Sequence, residues 1–184
     1  MGQRSHTGEK SLGLKRGTVI LSPHREEWHQ IFANERDRVV DAIGKQVLSV
    51  EHIGSTAICG IVAKPILDVM VGIPTFKDGE KCVQALEQLG YEYKGENGVP
   101  FRHFFGKGIP RTHHLHMVAV DGDFWKNHLV FRDHLRHNNS AAQEYNDLKL
   151  RLAHRFPNDR EAYTNGKETF VKRILGEASR SEVQ

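Results

Sequence analysis

Cysteine is scarce in this chain of 184 residues: Cys59 and Cys82 are the only two. They stand too far apart for a CxxC pair and are too few for a disulfide framework, which fits a reducing compartment. Long apolar runs are missing as well. No stretch approaches the roughly 20 residues that cross a bilayer, and the N-terminus has no apolar segment of the signal-peptide kind. A cytoplasmic location with no membrane partner is therefore expected. The body of the chain also lacks a basic excess. The formal net charge is +3, but residues 1–16 hold Arg4, Lys10, Lys15 and Arg16 against Glu9, and the remaining 22 basic and 22 acidic side chains cancel. A nucleic-acid-binding domain carries its positive charge on its folded surface, so nucleic acid is not expected as a partner. There is no internal repeat, and the length suits one domain. The expected organisation is a single domain over residues 17–176, a disordered basic tail over residues 1–16 and a second disordered tail over residues 177–184.

What is present is organised around residues 50–73, VEHIGSTAICGIVAKPILDVMVGI, which read as strand, tight turn, short helix, strand. Ser22-Pro23 reads as a helix start, with Ser as N-cap and Pro at the first helical position. Trp28, Ile31, Phe32, Val39 and Ile43 then recur at helical spacing as far as Gly44. Residues 47–53 form the first expected strand and residues 65–71 the second. Residues 77–89 read as an amphipathic helix closed by Gly90. Residues 91–94, 100–105 and 112–120 have strand character between Gly-rich turns. After Asp121-Gly122 the pattern is helical only. One helix covers residues 123–137, a second is opened by a Ser140/Gln143 capping box, and a third is opened by Asn158 with Glu161. The fold class is α/β in the α+β sense, a mixed sheet flanked by helices and finished by a three-helix segment.

Several residues carry candidate chemistry. Asp68 is a carboxylate inside an apolar strand, and such a buried charge is paired, metal-bound or functional. Gly54-Ser55 follows a strand and opens a helix, so it either holds a phosphate or simply makes a turn and a cap. It is not a Walker loop: five residues separate Gly54 from Gly60, and Ile61 stands where the lysine belongs. His114 and His116 share one strand face and can ligate a metal such as zinc, with Asp68 or His52 as further donors. The alternative is a polar face hydrogen-bonded to carboxylate or phosphate. Lys64 and Arg102 read as surface charges unless the fold brings them to the Ser55 turn. Arg132 and Arg136, one helical turn apart, form either a solvated face or a cationic pair for an anion.

The blocks Glu51-His52-Ile53-Gly54-Ser55-Thr56-Ala57, Ala63-Lys64-Pro65-Ile66-Leu67-Asp68, His113-His114-Leu115-His116, Phe131-Arg132-Asp133-His134-Leu135-Arg136 and Asp159-Arg160-Glu161-Ala162-Tyr163, in that order, resemble the GrpB family. The resemblance extends over residues 19–175. It implies the nucleotidyltransferase superfamily of polymerase-beta-like folds, with the Gly-Ser turn at a nucleotide triphosphate. Some members of the family carry a fused dephospho-coenzyme A kinase domain, which implies nucleotide or coenzyme metabolism. Active members of the superfamily hold two divalent ions, magnesium or manganese, on strand carboxylates one residue apart. Asp68 matches the first of these, but Met70 occupies the second position, and the later strand that should bring a third carboxylate offers His114 and His116. Two functions are therefore expected in competition. One is nucleotidyl transfer, with Asp68 catalytic, Asp68 with His114 or His116 holding one metal, and His52, Gly54, Ser55, Lys64, Arg102, Arg132 and Arg136 at the ligand. The other is an inactive module that binds a nucleotide or other phosphorylated small molecule.

Overall fold

Five strands, β1 (Ser49–Ile53), β2 (Leu67–Ile73), β3 (Tyr91–Tyr93), β4 (His103–Lys107) and β5 (His113–Ala119), form one mixed sheet in the order β1-β2-β5-β4-β3. The computed structural model describes residues 11–181. The central pair β2–β5 is parallel and the other pairs are antiparallel. β2 is almost continuously apolar because both of its faces are covered, whereas β5 carries His113, His114 and His116. On one face Val69, Val71 and Ile73 of β2 and Leu115 and Met117 of β5 pack against Val39 and Ile43 of helix α1 (Glu27–Ile43) and Leu86 of α2 (Val83–Gln88). On the other, Met70 and Ile53 meet Val118 and Trp125, the latter from α3 (Asp123–His137). Gly72 leaves room for that indole, since a Cβ there would lie 2.9 Å from the ring.

The remaining helices, α4 (Asn139–Arg155), α5 (Arg160–Asn165) and α6 (Glu168–Ser181), build a second core on the same side as α3. Leu135, Tyr145, Phe170 and Ile174 close around Ile58 and Ile61, which lie in the loop between β1 and β2. This packing ties the helices to the Gly54-Ser55 turn and makes them part of the sheet domain. Among the described residues no helix is long and apolar enough to cross a membrane.

The expected mixed sheet with flanking helices is the observed fold, but several boundaries differ. Ser22 does not cap α1: its backbone is bridged in both directions to Ala63, which holds it extended, and the helix begins at Glu27 with no side-chain cap. Residues 76–82 form a 3-10 segment ahead of α2. Asn138, not Ser140, caps α4 by accepting from Ala141 N, and Asp159, not Asn158, caps α5 by accepting from Ala162 N. The C-terminal segment holds four helices where three were expected, because α5 ends at Asn165 and α6 starts at Glu168.

Both tails also need correction where they are described. Helix α6 continues through Ser181, so residues 177–181 are helical; residues 182–184 lie outside the described part. Residues 1–10 likewise lie outside it, but residues 11–16 are docked. Gly13 N donates to Pro65 O at 2.9 Å, Leu14 and Arg111 exchange backbone hydrogen bonds, and Leu12 joins Trp28, Ala63 and Leu67 in a small core. Two leucines separated by one residue were a weak strand signal hidden among glycines and lysines. Leu14, 6% exposed, should therefore matter: Leu14→Ala is expected to lower the unfolding free energy in urea by about 2 kcal/mol. An unchanged midpoint would show that the strap is only loosely attached.

Candidate functional site

Strand register decides which side chains meet. In the parallel pair, Asp68 lies beside His114 and Met70 beside His116, so the two-residue period of a strand puts these four on one face. His114 Nδ1–H donates to Asp68 Oδ1 at 2.9 Å. His116 Nε2 stands 3.6 Å from the same oxygen, a charge–dipole contact longer than a good hydrogen bond. The second nitrogen of each ring faces an arginine: Arg160 Nη2 donates to His114 Nε2 and Arg102 Nη1 to His116 Nδ1, each at 3.3 Å. A guanidinium only donates and a carboxylate only accepts, so the arrangement fixes both tautomers.

Asp68 keeps 31% of its side chain open to the cleft. Burial pushes its carboxyl upward, but the hydrogen bond from His114 and the proximity of His116 outweigh that and hold it well below the usual carboxylate range. His116 is pulled down to about 4, chiefly by burial, with Asp68 opposing and Arg102 adding. The floor of the site is thus an ionised carboxylate beside a neutral His116 imidazole.

The Gly54-Ser55 turn rests directly on that carboxylate. Gly54 has φ 69° and ψ −173°, a conformation essentially confined to glycine, and a Cβ there would lie 2.5 Å from Asp68 Oδ2. The helix expected behind the turn is a single 3-10 turn, Ser55–Ala57. So short an element has no macrodipole to offer an anion, and any attraction must come from side chains.

Those side chains are basic. Ser55, Lys64, Asp68, Arg102, Arg160 and Lys167 all line one cleft of about 1680 Å³. The Lys64 and Lys167 ammonium groups lie 5.2 and 4.7 Å from the centre of the Tyr163 ring. Burial, reinforced by Lys167 and Arg160, brings the Lys64 ammonium down to about 7. Burial also brings Lys167 to about 8, although Asp68 partly offsets it. Lys149, almost fully buried behind them against Val62 O and the Tyr145 ring, is held well below its ordinary value by burial and by the two other lysines. The lining of the cleft holds more basic side chains than carboxylates: Asp68 is joined by Glu92 and Glu161, against Lys64, Arg102, Arg160, Lys167 and further basic residues.

The structure brings Gly54, Ser55, Lys64, Asp68, Arg102, His114 and His116 together, and leaves three expected ligand contacts elsewhere. His52 pairs with Val69 and so faces α1, where it stacks on Phe32 with ring centres 4.6 Å apart and bonds Thr56 Oγ1 at 2.9 Å. Burial drops it to about 3. Arg132 clamps α3 to β1 through Glu51 Oε2 at 2.7 Å and His52 O at 3.1 Å, and also bonds Asp133. Arg136 donates to Ala57 O at 3.0 Å. These two arginines hold the underside of the turn instead of facing a ligand. Sequence reasoning missed Arg160, Lys167 and Tyr163 as site residues, although Arg160 and Tyr163 lie in one of the blocks quoted above.

The donor set does not suit a magnesium or manganese pair. Met70 is 0% exposed beneath Ile53, Val118 and Trp125, and magnesium requires oxygen donors in near-octahedral array. Zinc accepts imidazole, but all four ring nitrogens of His114 and His116 face Asp68 or an arginine. Asp68 therefore acts as an electrostatic centre for its basic neighbours. Asp68→Asn is expected to cost about 1–3 kcal/mol near neutral pH, the worth of hydrogen bonds to a charged group. The folded carboxyl titrates below the unfolded one, so its contribution is present above about pH 4 and is lost as the pH falls through the folded value. Urea unfolding of mutant and wild type should accordingly converge in acid; a mutant more stable than wild type at pH 7 would contradict this.

A family model described as GrpB protein matches residues 18–177. The glutamate-rich protein GrpB of Alkalihalophilus pseudofirmus is 41% identical over 90% of this chain and 99% of its own length. UPF0157 protein PA4798 of Pseudomonas aeruginosa is 43% identical over 87% of this chain and 67% of its own. The crystal structure of a conserved protein GrpB from Enterococcus faecalis superposes with a TM-score of 0.82 at 34% identity, covering 90% of this chain and 100% of that one. A sheet that places Asp68 against the Gly54 turn, with matches of this extent, makes the chain a member of the GrpB family.

Proposed function

We propose that this protein binds a nucleotide or other phosphorylated small molecule in the cleft above Asp68, gripping its phosphates with side-chain cations in place of a divalent metal pair. The observation that carries this reading is the convergence of Lys64, Arg102, Arg160 and Lys167 on the cleft that Asp68 lines, where basic side chains outnumber carboxylates. Two lysines that are partly neutral because they repel their neighbours and lack water are restored to full charge by an entering phosphate. Arg160, set by the His114 imidazole, offers planar donors of the kind suited to phosphate oxygens, while Arg102, whose terminal nitrogens bond His116, Glu96 O and Asn97 O, contributes its charge to the cleft wall. Tyr145, Tyr163 and Phe104 also line the cleft. The volume suffices for a nucleotide.

Nucleotidyl transfer is the second reading, and the position of Asp68 beside the Gly-Ser turn favours it. Two features weigh against it: Met70 is sealed under α3, and a carboxylate held so far below its ordinary range is a poor proton acceptor. A binding module accounts for both.

Calorimetry tests the proposal through protons. At about pH 8, Lys64 with a value near 7 is roughly nine-tenths neutral, and Lys167 is about half neutral. A bound phosphate raises both values, so the expected result is uptake of about one proton or more per pyrophosphate or ATP bound, read from the difference between buffers of unlike ionisation enthalpy. Lys64→Met should remove most of that uptake and weaken binding. Binding without proton uptake, or no binding of either ligand, would overturn the reading.

A further inference from the structure

A second cluster lies on the far side of the turn, away from the cleft. His24 precedes α1, His29 sits in its first turns and Cys59 follows the 3-10 turn. One donor atom from each lies within 4.8 Å of the other two, the one such trio of His, Cys or carboxylate side chains among the described residues. Cys59 Sγ is 3.6 Å from His29 Nε2. With zinc–sulfur and zinc–nitrogen bonds of about 2.3 and 2.05 Å, two ligands of a tetrahedral ion stand about 3.6 Å apart. Both ring nitrogens of His24 are buried and have no hydrogen-bond partner, an unsatisfied arrangement that ordinarily has a reason, such as an unfilled ion site.

We propose that His24, His29 and Cys59 form a binding site for one zinc ion, separate from the phosphate cleft. A thiolate with two imidazoles is the donor set of zinc and is too soft for magnesium or calcium. Binding replaces the Cys59 thiol proton, released to solvent, by a sulfur–zinc bond, while each imidazole donates a lone pair. Cys59 is exposed, so the fourth position faces solvent. Exposed Glu26, with Oε1 4.0 Å from His24 Nε2, is within reach of it.

The ion would join the start of α1 to the segment leaving the Gly54-Ser55 turn. His29 also lies against His52, with ring centres 5.5 Å apart, and His52 in turn holds Thr56 of that turn. Zinc binding thus braces one wall of the cleft without entering it.

Cobalt serves as the spectroscopic probe. Chelator-stripped, reduced full-length protein should bind one cobalt ion with a thiolate-to-metal charge-transfer band and the visible spectrum of a tetrahedral site, both removed by added zinc. Cys59→Ser and His24→Gln should abolish the band and weaken cobalt binding by more than about tenfold, while Cys82→Ser and Asp68→Asn keep it. On the unmutated protein, zinc should also protect Cys59 from alkylation, with the modified residue identified by peptide mass. A band that survives Cys59→Ser, a band lost in Asp68→Asn, or alkylation of Cys59 at the same rate with and without zinc would overturn the proposal.

Discussion

The hydrogen bond from His114 Nδ1 to Asp68 Oδ1, 2.9 Å long, is the contact on which the cleft depends. It joins the two central strands through their side chains, fixes the His114 tautomer, and so turns Nε2 toward Arg160 of α5. Arg160 adds a hydrogen bond between the sheet and α5, and through Oδ2 the same carboxylate lies against the Gly54 turn. Without its ionised oxygen Lys64 and Lys167 would lose an attraction that favours their charged forms.

This arrangement separates charge storage from metal chemistry. A polymerase-like site gathers carboxylates and recruits cations from solution. Here the polarity is reversed: the cations are built in, and the strand position that would hold a second carboxylate is filled by Met70 as part of the core under Trp125. The price of the built-in cations is visible in Lys64, Lys149 and Lys167, whose charges are all disfavoured by burial. Natural proteins tolerate such strain where function requires it.

Much of the fold was legible in the sequence because it rests on local periodicity. The apolar run of β2, the helical stripe of α1 and the alternation that pairs His114 with His116 all survive inspection without a structure. Asp68 stood out for a local reason as well, as a charge in an apolar strand. Register was not legible. Whether His52 shares a face with Asp68 depends on its pairing with Val69 instead of Asp68, and no pattern within β1 encodes that. Arg132 and Arg136 show the same limit: an i, i+4 pair of arginines looks identical whether it faces a ligand or clamps α3 to the loop beneath it. Lys167 and Arg160 are about a hundred residues from the turn they approach, and only the packing of α5 and α6 brings them there. The misplaced N-cap at Ser22 has a similar origin, since the bridge to Ala63 is a long-range contact that overrides a good local signal.

The central claim is that phosphate is held by side-chain cations around Asp68 and not by a divalent metal pair. The most direct test is the melting temperature with saturating pyrophosphate or ATP, measured once in excess EDTA and once in magnesium. Ligand at about 100 times its dissociation constant stabilises the native state by about 2.7 kcal/mol, enough to read. The account predicts an upward shift in EDTA at least as large as that in magnesium. A shift that appears only when magnesium is present would contradict it.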